Sequence, residues 1–297
     1  MFLAPAFWAT NQLGARYVAD FFPPHQLAFW RWLIAFCVML PFAWSRLRVA
    51  GPIIRHEWHE FLLLGGIGMW ICGAFVYIGA QTTTATNLSL IYAGSPVVII
   101  LFSTLIYGEK LTVPQASGAA ICIAGILLII AKGSTATFAH LAFTVGDLWI
   151  AVASIGWALY SVLLKHRSTQ LDPFTRLTCI TAGGVLVLVP FTLWEMAFVA
   201  VAPLTTKTVV VALVLGIVPG FGAYQSYSFI QKTLPSHIGG LVLYVIPLYV
   251  ALGAWLWLGE ALRWYHWVGA GLILPGVFVA TWQGAASVPE EKTRTGT

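Results

Sequence analysis

Apolar residues run through this chain in long stretches, broken at nearly regular intervals by short joints that carry Gly, Pro or charge. A helix needs about 20 mostly apolar residues to cross a hydrocarbon core roughly 30 Å thick. Ten stretches meet that requirement, near Phe2 to Ala19, Pro24 to Trp44, Phe61 to Ala80, Thr84 to Tyr107, Thr112 to Ala131, Gly146 to Lys165, Asp172 to Trp194, Thr208 to Phe229, Ser236 to Leu258 and Trp264 to Trp282. The pattern predicts an all-α membrane protein with ten transmembrane helices.

These runs repeat one another. Between Leu90 and Ile130 stand Pro96, Gly108-Glu109, Gly118 and Gly125, and each returns 151 residues later as Pro247, Gly259-Glu260, Gly269 and Gly276. Earlier in the chain Phe7-Trp8-Ala9 matches Gly156-Trp157-Ala158, Pro24 matches Pro173, and Pro41-Phe42 matches Pro190-Phe191, at an offset of 149. A repeat of this length marks two homologous halves. Five spans per half is an odd number, so the second half must enter the membrane from the opposite side, and the halves form an inverted pair. The expected organisation is a first five-helix repeat over 1–131, a connecting loop over 132–145, a second, inverted five-helix repeat over 146–283 and a polar tail over 284–297.

Composition agrees, with 59% hydrophobic residues and 8% charged against the roughly 25% charged residues of a soluble domain. If the amino terminus is cytoplasmic, ten of the fifteen Lys and Arg fall on the cytoplasmic side, leaving Arg16, Arg31, Lys132, Lys207 and Arg263 opposite. That bias places both termini and the tail inside a cytoplasmic (inner) membrane. The pI of 9.1 then reflects contact with anionic lipid and requires no nucleic-acid partner. The first stretch lacks the basic residue that precedes the apolar run of a secretory signal, and it matches the sixth, so it is expected to persist as the first helix. Cys37, Cys72, Cys122 and Cys179 lie in apolar runs without CxxC or Cys/His spacing, which indicates neither a disulfide framework nor a metal site.

Substrate sites of inverted repeats lie near the bilayer midplane between the halves. Asn11, with Trp8 one turn away, falls mid-way along the first helix; Trp157, Tyr160 and Ser161 fall mid-way along the sixth. Each half thus offers an aromatic ring and a hydrogen-bonding group at one depth, though the tryptophans could equally be core and Asn11 could bond a neighbouring helix. Tyr77, Tyr92, Tyr224, Tyr227 and Tyr244 add rings with hydroxyls, suited to a small zwitterion with an apolar side chain. Pro96, Pro219, Pro247 and Pro275 fall inside their helices, free a carbonyl each and are candidate hinges. Glu109 and Glu260 follow glycines at helix ends and are expected to bond the next helix or loop. The remaining carboxylates and the seven histidines fall in loops or at helix ends, so no proton-coupling group is evident at mid-membrane. Arg31, inside the second helix, is expected to cap carbonyls or pair with a polar group near the outer opening, with a substrate carboxylate as the alternative partner.

The chain resembles the EamA group of the drug/metabolite transporter superfamily over nearly its whole length. The resemblance is carried by Tyr77, the run Thr82-Thr83-Thr84-Ala85, Ser95-Pro96, Gly108-Glu109-Lys110-Leu111-Thr112, Gly118 and the Phe-Trp-Ala-Thr-Asn element around Trp8. It is also similar to the aromatic amino-acid exporters of the YddG type, which carry a tryptophan in the first and sixth helices. That resemblance implies that Trp8 and Trp157 lie on a transport cavity. The expected function is export of small organic solutes, amino acids including aromatic ones foremost, by alternating access through a central cavity. A drug or nucleotide-sugar carrier of the same fold, or a membrane enzyme or sensor scaffold, is the alternative. No P-loop pattern and no cluster of Asp, Glu, His or Ser at one depth point to an enzyme, and no cofactor is implied.

Overall fold

The architecture comes from a computed structural model, which describes residues 3–109, 112–134, 144–226 and 246–282, the side chains at 130, 281 and 282 excepted. Tyr227, Tyr244, most of the connecting loop, the first part of the ninth predicted span and the tail lie outside the described residues. The described backbone is helical throughout, without strands. Helices run as α1 (Leu3–Val18), α2 (Pro24–Val49), α3 (Gly51–Ala80), α4 (Ala85–Tyr107), α5 (Val113–Ile130), α6 (Val145–His166), α7 (Pro173–Phe198), α8 (Thr206–Ser226), α9 (Ile246–Leu258) and α10 (Trp264–Trp282). Six of them, α2, α3, α4, α6, α7 and α8, are long and apolar enough to cross a membrane.

Helix ends follow from local chemistry. Pro24 and Pro173 start α2 and α7, where their missing N–H costs nothing. Thr84 accepts from the Asn87 N–H, Thr112 and Gln115 form a reciprocal capping box, and the Asp172 carboxylate accepts from Phe174 and Thr175. Gly108 and Gly259, at φ 69° and 67°, take the left-handed turn that ends α4 and α9. In each, the following glutamate N–H reaches the carbonyl six residues back, Ser103 or Ala254, and so satisfies one of the carbonyls left open at the helix end.

Packing joins α5 to α10 through glycine. A Cβ at Gly118 would lie 2.5 Å from the Gly276 carbonyl, and one at Gly276 would lie 2.8 Å from the Gly118 carbonyl. Gly125 and Gly269 oppose each other in the same way, with a Cβ on the first falling 3.0 Å from the carbonyl of the second. The repeat marks of α5 and α10 are therefore the small residues that let these helices touch along their backbones. α2 and α7 likewise pack on each other; a Cβ at Gly65 of α3 would fall 2.6 Å from the Ile180 carbonyl of α7, and one at Gly216 of α8 would fall 3.0 Å from the Arg31 carbonyl of α2. Elsewhere α1 meets α8 and α9 while α6 meets α3 and α4. When both helix numbers are advanced by five, the α2–α7 and α5–α10 pairings return to themselves and each of the others becomes another of the set.

The third and eighth helices share one further property. Both pass through π-helical turns, over Gly66–Ala74 and Gly216–Gly222, where glycines and Pro219 weaken the regular hydrogen-bond ladder. α4 breaks at Gly94, and its second part starts at Ser95 with Pro96 in the first turn. By contrast α10 runs through Pro275 without interruption, and that residue faces outward.

Candidate functional site

A cavity of about 210 Å³ opens where α1, α2, α3, α4, α6, α8 and α9 converge. Trp8, Asn11, Tyr92, Trp157 and Tyr224 line it, together with the hinge candidates Pro96 and Pro247. Trp8 meets Tyr224 edge to face with centroids 5.9 Å apart, and the Trp32 ring lies 6.4 Å from the same tyrosine. Side chains of α1, α2 and α8 therefore share one aromatic wall. Tyr77 and Tyr160 stand behind that wall. Tyr77 is 2% exposed and donates its hydroxyl hydrogen bond to Asn11 Oδ1 at 2.8 Å, so it orients the amide that faces the cavity. Tyr160 is buried against Trp157, with ring centroids 5.5 Å apart. Ser161 spends its hydroxyl on the Trp157 carbonyl at 2.7 Å, so the sixth helix brings a ring to the cavity without the free hydroxyl expected beside it. Pro219 is buried in the π-helical segment, Pro275 lies away from the cavity, and Tyr244 is outside the described residues.

Several lining groups escaped the sequence reading. Gln12, Trp32, Cys72, Ser89 and Ser95 face the space as well. Among the described residues, the buried side-chain atoms without a hydrogen-bond partner include Gln12 Oε1, Arg31 Nε, Trp32 Nε1 and Ser89 Oγ, all from residues of this wall. Polar groups are rarely buried unpaired, so such a concentration fits a space that water or a polar solute fills. Helical spacing could have flagged Ser89 and Ser95, which flank Tyr92 at three residues on either side.

Arg31 also belongs to this wall. It is 4% exposed, lines the cavity, and sets its guanidinium 4.3 Å from the centre of the Trp32 ring. It also lies close enough to interact with the hydroxyls of Tyr77, Tyr92 and Tyr224. No carboxylate pairs with it among the described residues. Removing an ion from water costs several kcal/mol even after relaxation, whereas a cation–π contact returns about 0.5 to 2. An arginine left in that position needs water or a polar solute to meet the rest of its donors.

Seven of the eight described carboxylates are committed elsewhere. Glu260 does not bond the next loop; it crosses to α4 and accepts from the Ala85 N–H at 2.7 Å and from the Thr86 N–H and hydroxyl at 3.2 and 3.0 Å. Close by, Asp147 in the first turn of α6 is 0% exposed and accepts from the Thr83 hydroxyl and from Asn87 Nδ2. His266 Nδ1 accepts the Arg263 N–H, which leaves Nε2 to donate to Asn87 Oδ1 at 3.0 Å. This cluster joins α4, α6 and α10 at one end of the bundle, and it buries a carboxylate that the sequence alone places at an exposed helix end. At the other end Lys165, 3.1 Å away, holds the Glu109 carboxyl below its usual range, and His166 stands 3.4 Å from the same oxygen. Glu57 accepts from Thr169, Glu60 pairs with Arg167, Asp172 with Arg46 and Glu195 with His25 and Gln26.

Apolar membrane-spanning helices gathered round an aromatic, partly polar cavity define a multi-pass membrane protein of the transporter class. The chain belongs to the EamA-like transporter family, which it matches over residues 1–131 and 144–282. It is 27% identical to an uncharacterized transporter of Archaeoglobus fulgidus over 92% of this chain and 93% of that one. The uncharacterized transporter YyaM of Bacillus subtilis is 23% identical over 94% and 91%. A probable terminal-alkyne amino-acid exporter of Streptantibioticus cattleyicolor is 24% identical over 92% and 89%. A solved crystal structure, 21% identical, superposes with a TM-score of 0.63 over 96% of each chain and shows the same fold.

Proposed function

We propose that this protein is an inner-membrane carrier that exports small organic solutes, amino acids with apolar or aromatic side chains foremost, by alternating access. The observation that carries the reading is the aromatic wall of Trp8, Tyr92, Trp157 and Tyr224, drawn from both halves round one cavity. A space of about 210 Å³ sits below the ~300–1,000 Å³ of pockets for drug-sized ligands, which favours a single amino acid over a nucleotide sugar. The cation in the cavity disfavours cationic drugs. The printed name of the Streptantibioticus relative, an amino-acid exporter, supports the same substrate class.

The architecture proposed is two inverted five-helix repeats, 1–131 and 146–283, joined by 132–145, with both termini and the 284–297 tail cytoplasmic. Its support is that helix pairings recur when both numbers advance by five, and that both π-helical segments fall at equivalent places. Alternating access then rocks one repeat against the other, with Pro96, Pro219, Pro247 and Pro275 as the candidate bending points. Counterflow in proteoliposomes against labelled amino acids, nucleotide sugars and cationic drugs tests the reading. Uptake of amino acids is expected; exchange of nucleotide sugars or cations alone would replace it.

A further inference from the structure

We infer that the cavity recognises its substrate by a carboxylate held on Arg31 and does not read the ammonium of an amino acid. The inference rests on the carrier reading above and makes its substrate class narrower in charge and wider in chemistry. Arg31 is the one charged side chain on the described wall, and its Nε is buried without a partner. Of the chain's ten Asp and Glu, eight lie among the described residues and none lines the cavity; the other two are Glu290 and Glu291 in the tail, and the stretch 227–245 contains none. A guanidinium fork matches a carboxylate with two parallel hydrogen bonds. Nothing of opposite sign awaits an ammonium, which can meet only neutral groups: the Asn11 and Gln12 amides and the aromatic faces. The site therefore accepts 2-hydroxy and 2-oxo acids with the side chains of its amino-acid substrates, and it rejects the corresponding amides and amines.

The test measures binding to the purified protein in detergent, by quenching of tryptophan fluorescence and by thermal shift. The probes are phenylalanine, phenyllactate, phenylalaninamide and phenethylamine, with leucine and 2-hydroxy-4-methylpentanoate as the aliphatic pair. Phenyllactate should bind within about threefold of phenylalanine, and phenylalaninamide about tenfold or more weaker. Arg31→Gln should weaken both carboxylates by about tenfold or more, and Arg31→Lys should recover part of the loss. Should Arg31→Gln fail to fold, the comparison of hydroxy acid with amide on the unmodified protein decides. The inference is overturned if phenylalaninamide or phenethylamine binds as tightly as phenylalanine, if a folded Arg31→Gln binds the carboxylates unchanged, or if no carboxylate binds. Binding of amines independently of Arg31 would leave a carrier but remove the carboxylate anchor. Binding of the aliphatic acids alone, still dependent on Arg31, would keep the anchor and displace the aromatic preference.

Discussion

Replacing Trp8 with alanine separates a substrate wall from a packed core. Trp8 is only partly buried, and the space its ring would vacate adjoins a cavity that already exists. The dry void that makes core truncations expensive is therefore not created, and the packing lost includes its edge-to-face contact with Tyr224 at 5.9 Å. Such a pair is worth about 0.5 to 1.5 kcal/mol. Tyr77 provides the contrast within the same molecule. It is 2% exposed, and truncating a large aromatic of that kind costs about 3 to 5 kcal/mol, before counting the acceptor left unpaired on Asn11. Trp8→Ala and Trp157→Ala should thus melt close to the unmodified protein in detergent, while Tyr77→Ala melts far lower. In proteoliposomes the two tryptophan variants should show a KM for substrate raised by about tenfold, equal to roughly 1.4 kcal/mol of lost recognition. A melting loss in Trp8→Ala as large as in Tyr77→Ala, with flux per folded molecule unchanged, would return both tryptophans to packing.

Glu260→Ala strips three hydrogen bonds from the start of α4 and leaves the Ala85 and Thr86 N–H groups without an acceptor; a loss of about 2 to 4 kcal/mol is expected, and an unchanged melting temperature would contradict the capping role. Gly118→Leu places a Cβ 2.5 Å from the Gly276 carbonyl, so α5 and α10 must part; the expected cost is about 1 to 3 kcal/mol or more, read by melting, and a variant as stable as the parent would refute the seam. Gly51→Cys, at the exposed joint between α2 and α3, should react with an impermeant maleimide only after membranes are opened, in a background without the native cysteines. Labelling of intact cells would reverse the topology. Flux should persist without a pH gradient, since no carboxylate or histidine is among the described lining residues; stoichiometric proton movement abolished by Asp147→Asn would identify that buried carboxylate as a coupling group.

Much of the architecture is legible in the chain because membrane spans are written in local composition. Backbone groups in lipid must be satisfied within the segment, so a run of about 20 apolar residues is a helix almost by necessity. The described helices fall where such runs predict them. The glycine marks of the repeat could likewise be read as signs of close approach, and Gly118 and Gly125 do meet Gly276 and Gly269. Trp8, Asn11, Tyr92, Trp157 and Tyr224 were reachable through helical spacing and mid-helix position, and the structure brings them to one cavity.

Other features depend on partners far away in the chain. Depth along a helix does not say which way a side chain faces, so Tyr77 and Tyr160, read as lining residues, stand one layer back. Arg31 illustrates the same limit from the opposite side. Its position in α2 shows only that it is inside the membrane; that seven of the eight described carboxylates are engaged elsewhere and that none lines the cavity, leaving the cation to it, emerges only from contacts spanning up to 175 residues. Asp147 sits at a helix start by sequence and in a fully buried cluster by structure, because Thr83 of the α3–α4 turn and Asn87 of α4 bond it, and His266 of α10 bonds Asn87 in turn. Composition and periodicity determined the class and the apolar runs, since each is a property of one segment in lipid. Only tertiary packing decided which polar groups are satisfied and which are left facing the cavity, since hydrogen bonds and charges are balanced in space between helices and not along the chain.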